Sequence, residues 1–225
     1  MQAAGSTEPN ESSDLPGGFR RPPFGAILAG GASIRFGSPK ALARIGGLAI
    51  VERVERALRE AVDEVVLIAN EPTLFVDRGL RCRADIVPGR GALSGIHAAL
   101  AWAREEGRPG ALCIACDMPF IRPALLRAML TQSGDPDLDA VVPESAGKLG
   151  FEPLCAYYSV SAIDALSRML LSAESRVSAL PSHLRTARIS IDRVRGIGDP
   201  EVIFLNVNTP DDYEQAVKLA AENGQ

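Results

Sequence analysis

Short, continuous apolar runs alternate along this chain with amphipathic segments, and this alternation limits the possible folds more than any other feature. Strands that are apolar on both faces are typical of parallel sheets covered by helices on both sides. The clearest helix spans 48–62, where apolar residues recur every three or four positions. We therefore predict one α/β domain, Rossmann-like and three-layered, with a mostly parallel central sheet. The apolar runs are residues 24–29, 64–70, 110–116 and 139–143.

The remaining elements have weaker patterns, and no internal repeat is visible. The extended segment around 152–158 is expected to be an antiparallel excursion from the sheet. The other predicted elements are strands at 83–87 and 188–191, helices at 96–104, 123–130, 160–171 and 176–184, and a helix that begins at Pro210.

The first 23 residues differ in composition from the rest of the chain. They are rich in Ser, Glu, Pro and Gly, and after Met1 their only large apolar side chains are Leu15 and Phe19. Such a segment buries too little apolar surface to fold. We predict that residues 1–23 are a disordered tail and that residues 24–225 form the folded domain.

Composition excludes several classes of function. Hydrophobic residues make up 46% of the chain, enough for a substantial core, and the net charge of -4 argues against a general nucleic-acid-binding surface. No apolar run approaches the roughly 18 residues of a membrane span. The tail lacks the apolar core of a signal peptide. We therefore expect a cytoplasmic protein with no membrane or nucleic-acid partner.

Two of the four cysteines have the C-x-x-C spacing of some metal and redox sites, Cys113 and Cys116. They fall in a predicted strand, where positions three apart point to opposite faces. The two histidines, His97 and His183, do not complete a convincing ligand set. We predict four buried, reduced cysteines and no metal held by this pair.

A glycine-rich stretch follows the first apolar run and extends over 28–40. Glycines allow a backbone to approach a ligand closely, and successive exposed N–H groups form an anion-binding concavity. Arg35 and Lys40 add positive charge where a polyphosphate would lie. The adjacent Gly30 and Gly31 alone would suit an ordinary strand-to-helix turn, but the basic residues favour phosphate binding. The stretch matches neither the P-loop nor the dinucleotide fingerprint.

Polar residues also stand just beyond predicted strands, where open parallel sheets bind ligands. Asn70 either contacts a ligand or makes an Asx turn before Pro72. Asp117 either holds magnesium against nucleotide phosphates or ends its strand and caps the next helix. Asn206 and Asn208 are two positions apart and share one side of an extended chain.

The stretch 28–40 has the pattern L-A-G-G-x-x-x-R-x-G-x-x-K, which resembles the signature of the nucleotidyltransferases. The closest resemblance is to the molybdenum cofactor guanylyltransferases. It is supported by G-x-L-x-G at 91–95, C-D-x-P at 116–119, E-P-L-C-A-x-Y at 152–158 and N-V-N-T-P at 206–210, and it covers about 24–213.

Two residues depart from the family pattern. Phe36 stands where the family usually has Met, and Ala92 replaces a common Pro. The first change is apolar for apolar, so we expect altered packing and intact chemistry. The block at 152–158 resembles one near the acceptor substrate in the family, although no contact follows from the residues themselves.

The resemblance implies a fold like that of the nucleotide-diphospho-sugar transferases and the transfer of GMP from GTP to a phosphate of molybdopterin, with release of pyrophosphate. It also implies Mg²⁺ as the cofactor. Carried over position by position, the catalytic residues are Arg35, Lys40 and Asp117, the nucleotide contacts are Leu28, Ala29, Gly30, Gly31, Lys40, Asn70, Asp85 and Asp117, and the metal site is Asp117, Asn206 and Asn208.

GTP and molybdopterin are the partners that the resemblance implies, and cofactor-synthesis proteins or a molybdoenzyme are further candidates. Two alternatives remain open. A related nucleotidyltransferase would use CTP or a sugar-phosphate acceptor, although the sequence Ala29-Gly30-Gly31 resembles the guanylyl branch. A non-catalytic protein would hold nucleotide or finished cofactor for delivery.

Overall fold

The computed structural model describes residues 18–30, 40–87, 89–172 and 176–222. The strands in these ranges are β1 (Phe24–Leu28), β2 (Arg44–Ile45), β3 (Leu48–Ala49), β4 (Val65–Ile68), β5 (Arg81–Arg83), β6 (Gly110–Ala115), β7 (Ala140–Pro143), β8 (Cys155–Ser159) and β9 (Thr186–Ile189). The helices are α1 (Ile50–Arg59), α2 (Ala92–Glu105), α3 (Pro123–Gln132), α4 (Ile163–Leu171), α5 (Leu180–His183), α6 (Ile191–Arg195), α7 (Pro200–Ile203) and α8 (Pro210–Glu222).

Seven strands form one central sheet in the order β5-β4-β1-β6-β8-β7-β9. Every neighbouring pair is parallel except those made by β8, which runs antiparallel to both β6 and β7. The mostly parallel sheet and the antiparallel excursion are therefore both confirmed. Because β7 and β6 point the same way, the carboxyl ends of six strands and the start of β8 lie along one edge.

The core has two layers, one on each face of the sheet. Successive residues of β1 alternate between them: Ile27 packs into the layer covered by α1 and α3, whereas Ala26 and Leu28 pack into the layer covered by α2 and α4. The strand needs apolar residues at every position because both of its faces are buried. The predicted three-layer arrangement is confirmed.

Several boundaries differ from the sequence predictions. β5 covers 81–83 instead of 83–87, because the chain beyond Arg83 leaves the sheet to make side-chain contacts described below. β9 ends at Ile189, since Ser190 caps the N-terminus of α6. Helix α2 begins at Ala92, four residues early, because Gly91 adopts φ +61° immediately before it.

A two-stranded hairpin precedes α1 and was not predicted. Gly46 and Gly47 both have positive φ and connect paired strands, so β3 occupies the start of the segment expected to be helical. Two glycines between apolar residues are a recognised signal for a two-residue hairpin. The 3₁₀ helix Pro72–Arg78 and the short helices α6 and α7 were also missed.

All four cysteines are free thiols, as predicted, but only Cys113 and Cys155 are buried, whereas Cys82 and Cys116 are partly exposed. Cys113 lies in the layer beneath α2, and Cys116 packs against the opposite layer. The C-x-x-C pair is therefore divided by the sheet. Among the described residues, no helix is long and apolar enough to cross a membrane.

Residues just before β1 contact the folded domain. The amide of Arg20 donates to the carbonyl of Gly107 at 3.0 Å, and Arg21 pairs with Glu64 and Glu106. The fully buried Arg108 donates from Nη1 to the carbonyl of Pro22 at 2.8 Å. The division into a tail of 1–23 and a domain of 24–225 remains a prediction, and these contacts move the boundary that we expect to a point before Arg20.

A pair of truncations tests this boundary. Removing 1–17 should leave the melting temperature unchanged, whereas removing 1–23 should lower stability by about 1–3 kcal/mol, because buried Arg108 loses its carbonyl acceptor. Calorimetry of both truncated chains beside the full chain measures the difference. Equal melting temperatures for the two truncations would contradict it.

Candidate active site

The carboxyl edge of the sheet brings together residues that are far apart in the chain. Backbone hydrogen bonds extend the strand register beyond the strand ends: Ala29 N–H donates to Ile68, Ala69 N–H to Arg83, and Cys116 N–H to Leu28. The segments that follow β1, β4, β5 and β6 are therefore held side by side. Asn70, Asp85, Gly30 and Asp117 all emerge along this edge.

Asn70 and Asp85 form a reciprocal pair. The amide Nδ2 of Asn70 donates to Oδ2 of Asp85 at 3.0 Å, and the backbone N–H of Asp85 donates to Oδ1 of Asn70 at 3.0 Å. This pairing draws the chain after β5 away from the sheet and fixes both side chains. The side chain of Asn70 thus bonds to a residue 15 positions along the chain, and this contact differs from the local Asx turn before Pro72 that was considered for it.

Glycines line the space beside this pair. A Cβ at Gly30 would lie 3.9 Å from Oδ2 of Asp85, and one at Gly95 would lie 3.7 Å from Oδ1 of Asp85 and 3.5 Å from the side chain of Leu28. The structure thus brings together the predicted residues Leu28, Gly30, Asn70 and Asp85. Gly95 is an additional residue of this site. Its G-x-L-x-G motif was noticed in the sequence, but its contact with Asp85 was not predictable.

The first turn of α2 supports the same region. Ser94 is fully buried, and its hydroxyl donates to the carbonyl of Val87 at 2.7 Å and accepts from the Val87 amide at 3.2 Å. The loop that carries Asp85 is thereby fastened to the helix. The positive end of the helix dipole also lies beside the Asp85 carboxylate.

Asp117 is joined to the predicted asparagine pair through the backbone. The N–H of Val207 donates to the carbonyl of Asp117 at 3.0 Å, which places the segment 206–208 against the end of β6. Oδ1 of Asp117 is buried. Asn206 is half-buried and donates to the carbonyl of Phe204, whereas Asn208 is exposed.

The donor set around Asp117 suits a hard divalent cation. One carboxylate with two amide side chains offers oxygen ligands of the kind that magnesium accepts, with substrate phosphates completing the shell. Within the described ranges, no group of three His, Cys, Asp or Glu residues has the arrangement of a metal site. A cation bound here would therefore need ligands other than these residue types, such as the predicted Asn206 and Asn208 and the substrate, in addition to Asp117.

A small apolar cluster joins the hairpin to two motif-bearing segments, one at Asp117 and one at the two asparagines. Ile45 in the hairpin, Phe120 just after Asp117, and Val207 between the two asparagines pack with the inner face of α8. Arg53 is buried, and its Nε donates to the carbonyl of Ile45 at 2.9 Å. The hydroxyl of Tyr213 on α8 donates to the carbonyl of Arg44 at 2.7 Å.

The Tyr213 contact gives a local prediction. Tyr213→Phe removes the hydroxyl and should destabilise the hairpin by about 0.5–1.5 kcal/mol. Amide hydrogen exchange over 44–49 should quicken, while exchange in β6 stays as in the parent protein. Unchanged exchange in the hairpin would mean that the hydrogen bond adds nothing to its stability.

Three predicted residues have limited or no description. Gly31 and Arg35 lie outside the described residues. Lys40 begins a short 3₁₀ turn, Lys40–Leu42, but its side chain is not described.

A cavity of about 280 Å³ lies at the other end of the same edge. Its walls come from the loop between β7 and β8 and from the chain between α7 and Asn206. The residues of interest in its lining are Ser145, Gly147, Glu152, Glu201, Phe204 and Asn206. Burial raises the pKa of Glu152, and a hydrogen bond from Ser145 partly opposes that rise.

Comparison with known proteins agrees with this arrangement. Residues 25–187 match the MobA-like NTP transferase domain. A probable molybdenum cofactor guanylyltransferase from Pelotomaculum thermopropionicum is 39% identical over 201 residues, covering 89% of this chain and 94% of that protein. The molybdenum cofactor guanylyltransferase of Desulfosudis oleivorans is 36% identical over 193 residues, covering 85% and 93%.

One solved structure is similar to this chain over most of its length. The molybdopterin-guanine dinucleotide biosynthesis protein A of Archaeoglobus fulgidus has a TM-score of 0.74 and 26% identity, covering 88% of this chain and 98% of that one. The central sheet and these matches agree with one another. The chain belongs to the family of MobA-like NTP transferase domains.

Proposed function

We propose that this nucleotidyltransferase transfers GMP from GTP to a phosphate of molybdopterin and releases pyrophosphate. The observation that carries the proposal is the junction at the end of β6, where Val207 fastens the segment 206–208 to Asp117. The segment that carries the two asparagines therefore lies at the end of β6, next to Leu28, where the glycine-rich stretch begins. The relatives at 36–39% identity are molybdenum cofactor guanylyltransferases, one of them named as probable.

The nucleotide lies across the carboxyl edge of the sheet in this proposal. The guanine base is next to the Asn70–Asp85 pair, where a fixed carboxylate can accept from its N–H donors. The triphosphate crosses β1 and reaches Asp117 at the end of β6. Gly30 and Gly95 leave the room that the nucleoside needs.

Four residues named above along the described part of this edge carry negative charge, namely Asp85, Asp117, Glu152 and Glu201. A triphosphate would be repelled there without cations. Arg35 and Lys40 would provide two, and Asp117, Asn206 and Asn208 would hold Mg²⁺ as the third. When bound there, Mg²⁺ would supply positive charge that offsets the negative charge developing on the phosphates during transfer.

The chemical step needs no general base. A phosphate oxygen of molybdopterin is already an anion, and it attacks the α-phosphorus of GTP. A new P–O bond forms, the bond to the β-phosphate oxygen breaks, and pyrophosphate leaves with that electron pair. The residues act by positioning and by electrostatic stabilisation: Lys40 and Arg35 hold the phosphates, and Asp117 holds its place on a rigid strand end.

A pyrophosphate-release assay tests this function. The purified protein should release pyrophosphate with GTP only when molybdopterin is present, and CTP should give a much lower rate. A higher rate with CTP would favour the cytidylyl alternative. Tight GTP binding without release under any acceptor would favour the delivery alternative and overturn the proposal.

A further inference from the structure

Arg53 is a buried charged residue that the transfer reaction described above does not use. Only 9% of its surface is exposed. It lies near the start of α1, the helix between the parallel neighbours β1 and β4. A helix that connects two parallel strands runs back from their carboxyl ends toward their amino ends. Arg53 therefore lies toward the carboxyl edge of the sheet, where the candidate site residues emerge.

The side chain of Arg53 connects two segments that lead to the candidate site. Its Nε donates to the carbonyl of Ile45 in the hairpin at 2.9 Å. Its guanidinium carbon lies 5.7 Å from the ring centre of Phe120, within the range of a cation–π contact. The hairpin follows the turn Lys40–Leu42, and Phe120 follows Asp117 by three residues. One side chain thus joins the end of the glycine-rich stretch to the end of β6.

The turn after the glycine-rich stretch is also packed on α1. Ala41 is buried in the same core layer as Val51 and Val54. The N–H of Ile50 donates to the carbonyl of Ala43 at 2.9 Å. The position of this turn relative to the end of β6 therefore depends on how α1 is seated, and Arg53 is the residue of α1 that contacts both sides.

The charge of Arg53 has no carboxylate partner among the described residues. None of the ion pairs in the described ranges includes it. Burial lowers the pKa of Arg53, and the guanidinium of Arg56 lowers it further, whereas a nearby carboxylate would raise it. Arginine nevertheless stays charged in proteins. A buried charge without an ion-pair partner is costly, and a bound anion would offset that cost.

We propose that Arg53 is a positioning residue for the phosphates of the bound nucleotide. It holds the turn Lys40–Leu42 in place relative to Asp117, and its positive charge makes this end of the site favourable for an anion. An apolar side chain could fill the same volume, but it would supply neither the charge nor the donor for Ile45. A buried charge also acts through a low dielectric and is screened little by salt. The inference rests on the proposed function only for the identity of the anion as a triphosphate.

Calorimetric titration with inorganic tripolyphosphate and magnesium, beside titration with guanosine, tests the role of Arg53. The first ligand has phosphates without a base, and the second has a base without phosphates. Arg53→Gln keeps an N–H donor for Ile45 but removes the charge. It should weaken tripolyphosphate binding about tenfold and leave guanosine binding as in the parent protein. The matched control Arg59→Gln removes an exposed charge from the same helix and should change neither affinity.

Arg53→Lys distinguishes the charge from a general loss of packing. It keeps a cation and an N–H donor but loses the planar group that lies over Phe120. If the charge matters, this variant should recover most of the tripolyphosphate affinity that Arg53→Gln loses. If Arg53 only supports the fold, Lys and Gln should weaken the binding of both ligands alike.

Three results would overturn the assignment. They are parent-like tripolyphosphate binding by Arg53→Gln, an equal loss of guanosine binding in that variant, and no recovery in Arg53→Lys. Neither ligand is turned over, so the titrations are independent of the acceptor. A protein that binds tripolyphosphate through Arg53 but transfers no GMP would overturn the proposed function and support the role of Arg53.

Discussion

Asp117→Asn should reduce pyrophosphate release by about 10²–10³-fold while leaving the melting temperature nearly unchanged. The substitution preserves size and most hydrogen bonding but removes the negative charge. Asp117 follows the fully buried strand β6, and its carbonyl is already held by Val207, so the backbone should not move. We therefore expect the lower rate to come from weaker binding of the cation, which needs the negative charge of Asp117.

The competing explanation for Asp117 makes the opposite prediction. Asn is as good a helix cap as Asp, so a capping role would leave the rate near normal. The structure already weakens that role, because Arg122 occupies the N-cap position of α3. A matched control is Asp164→Asn, an exposed residue in the first turn of α4, which should alter neither rate nor stability.

Magnesium titration of the rate distinguishes the two explanations for Asp117. If Asp117 holds the cation, the variant should need far more magnesium than the parent protein to reach its own maximal rate. A variant that reaches a near-normal rate at low magnesium would contradict the metal assignment. GTP should still bind the variant, since the glycine-rich stretch and Lys40 remain.

Lys40→Ala should weaken GTP binding by about 1.5–3 kcal/mol, a roughly 10–150-fold rise in Kd, and should slow turnover. The lysine stands at the end of the glycine-rich stretch and begins the turn Lys40–Leu42, which leads directly into the hairpin. That hairpin is fastened to α8 and α1, so the chain leaving the phosphate region is anchored. An ammonium group on this residue would supply positive charge to the phosphates.

Isothermal titration with GTP measures the Lys40 effect. Lys218→Ala removes an exposed charge on α8 and serves as the control for net charge alone. The difference between the two variants should shrink as salt concentration rises, since charge-assisted contacts are screened. Equal GTP affinity for both variants would show that Lys40 makes no phosphate contact.

The fold was predictable where a single pattern determines structure. The run at 24–28 is apolar at every position, so both of its faces must be buried. In the structure it is a central strand of the sheet. The opposite-face argument for Cys113 and Cys116 held because strand alternation is purely local. Such features need no knowledge of the neighbouring elements.

Other features depend on contacts between distant segments. The Asn70–Asp85 pair moved the end of β5, and nothing in the local sequence encodes the separation of 15 residues that the pair spans. Arg21 likewise pairs with Glu64 and Glu106, which are far away in the chain. The composition of residues 1–23 alone could not predict these contacts. The hairpin, in contrast, has a local signal in the sequence, the pair Gly46-Gly47. It was missed because the helical pattern that follows was given more weight.

The candidate site was predicted mainly through resemblance to the family, and the structure adds the spatial order of its residues. Asp117 and the segment 206–208 are distant in sequence and meet through one backbone hydrogen bond. The cavity at Glu152 could not be predicted, because its walls come from two loops that meet only in the folded chain.

The central claim is tested most directly by identifying the product. The protein is incubated with magnesium, molybdopterin and GTP labelled at its α-phosphorus. The products are then separated, and their masses are measured by mass spectrometry. The account predicts a labelled dinucleotide in which GMP is joined to molybdopterin through a diphosphate bond, with one pyrophosphate released for each molecule formed. Label that remains in GTP, or transfer of CMP from CTP in preference to GMP, would contradict it.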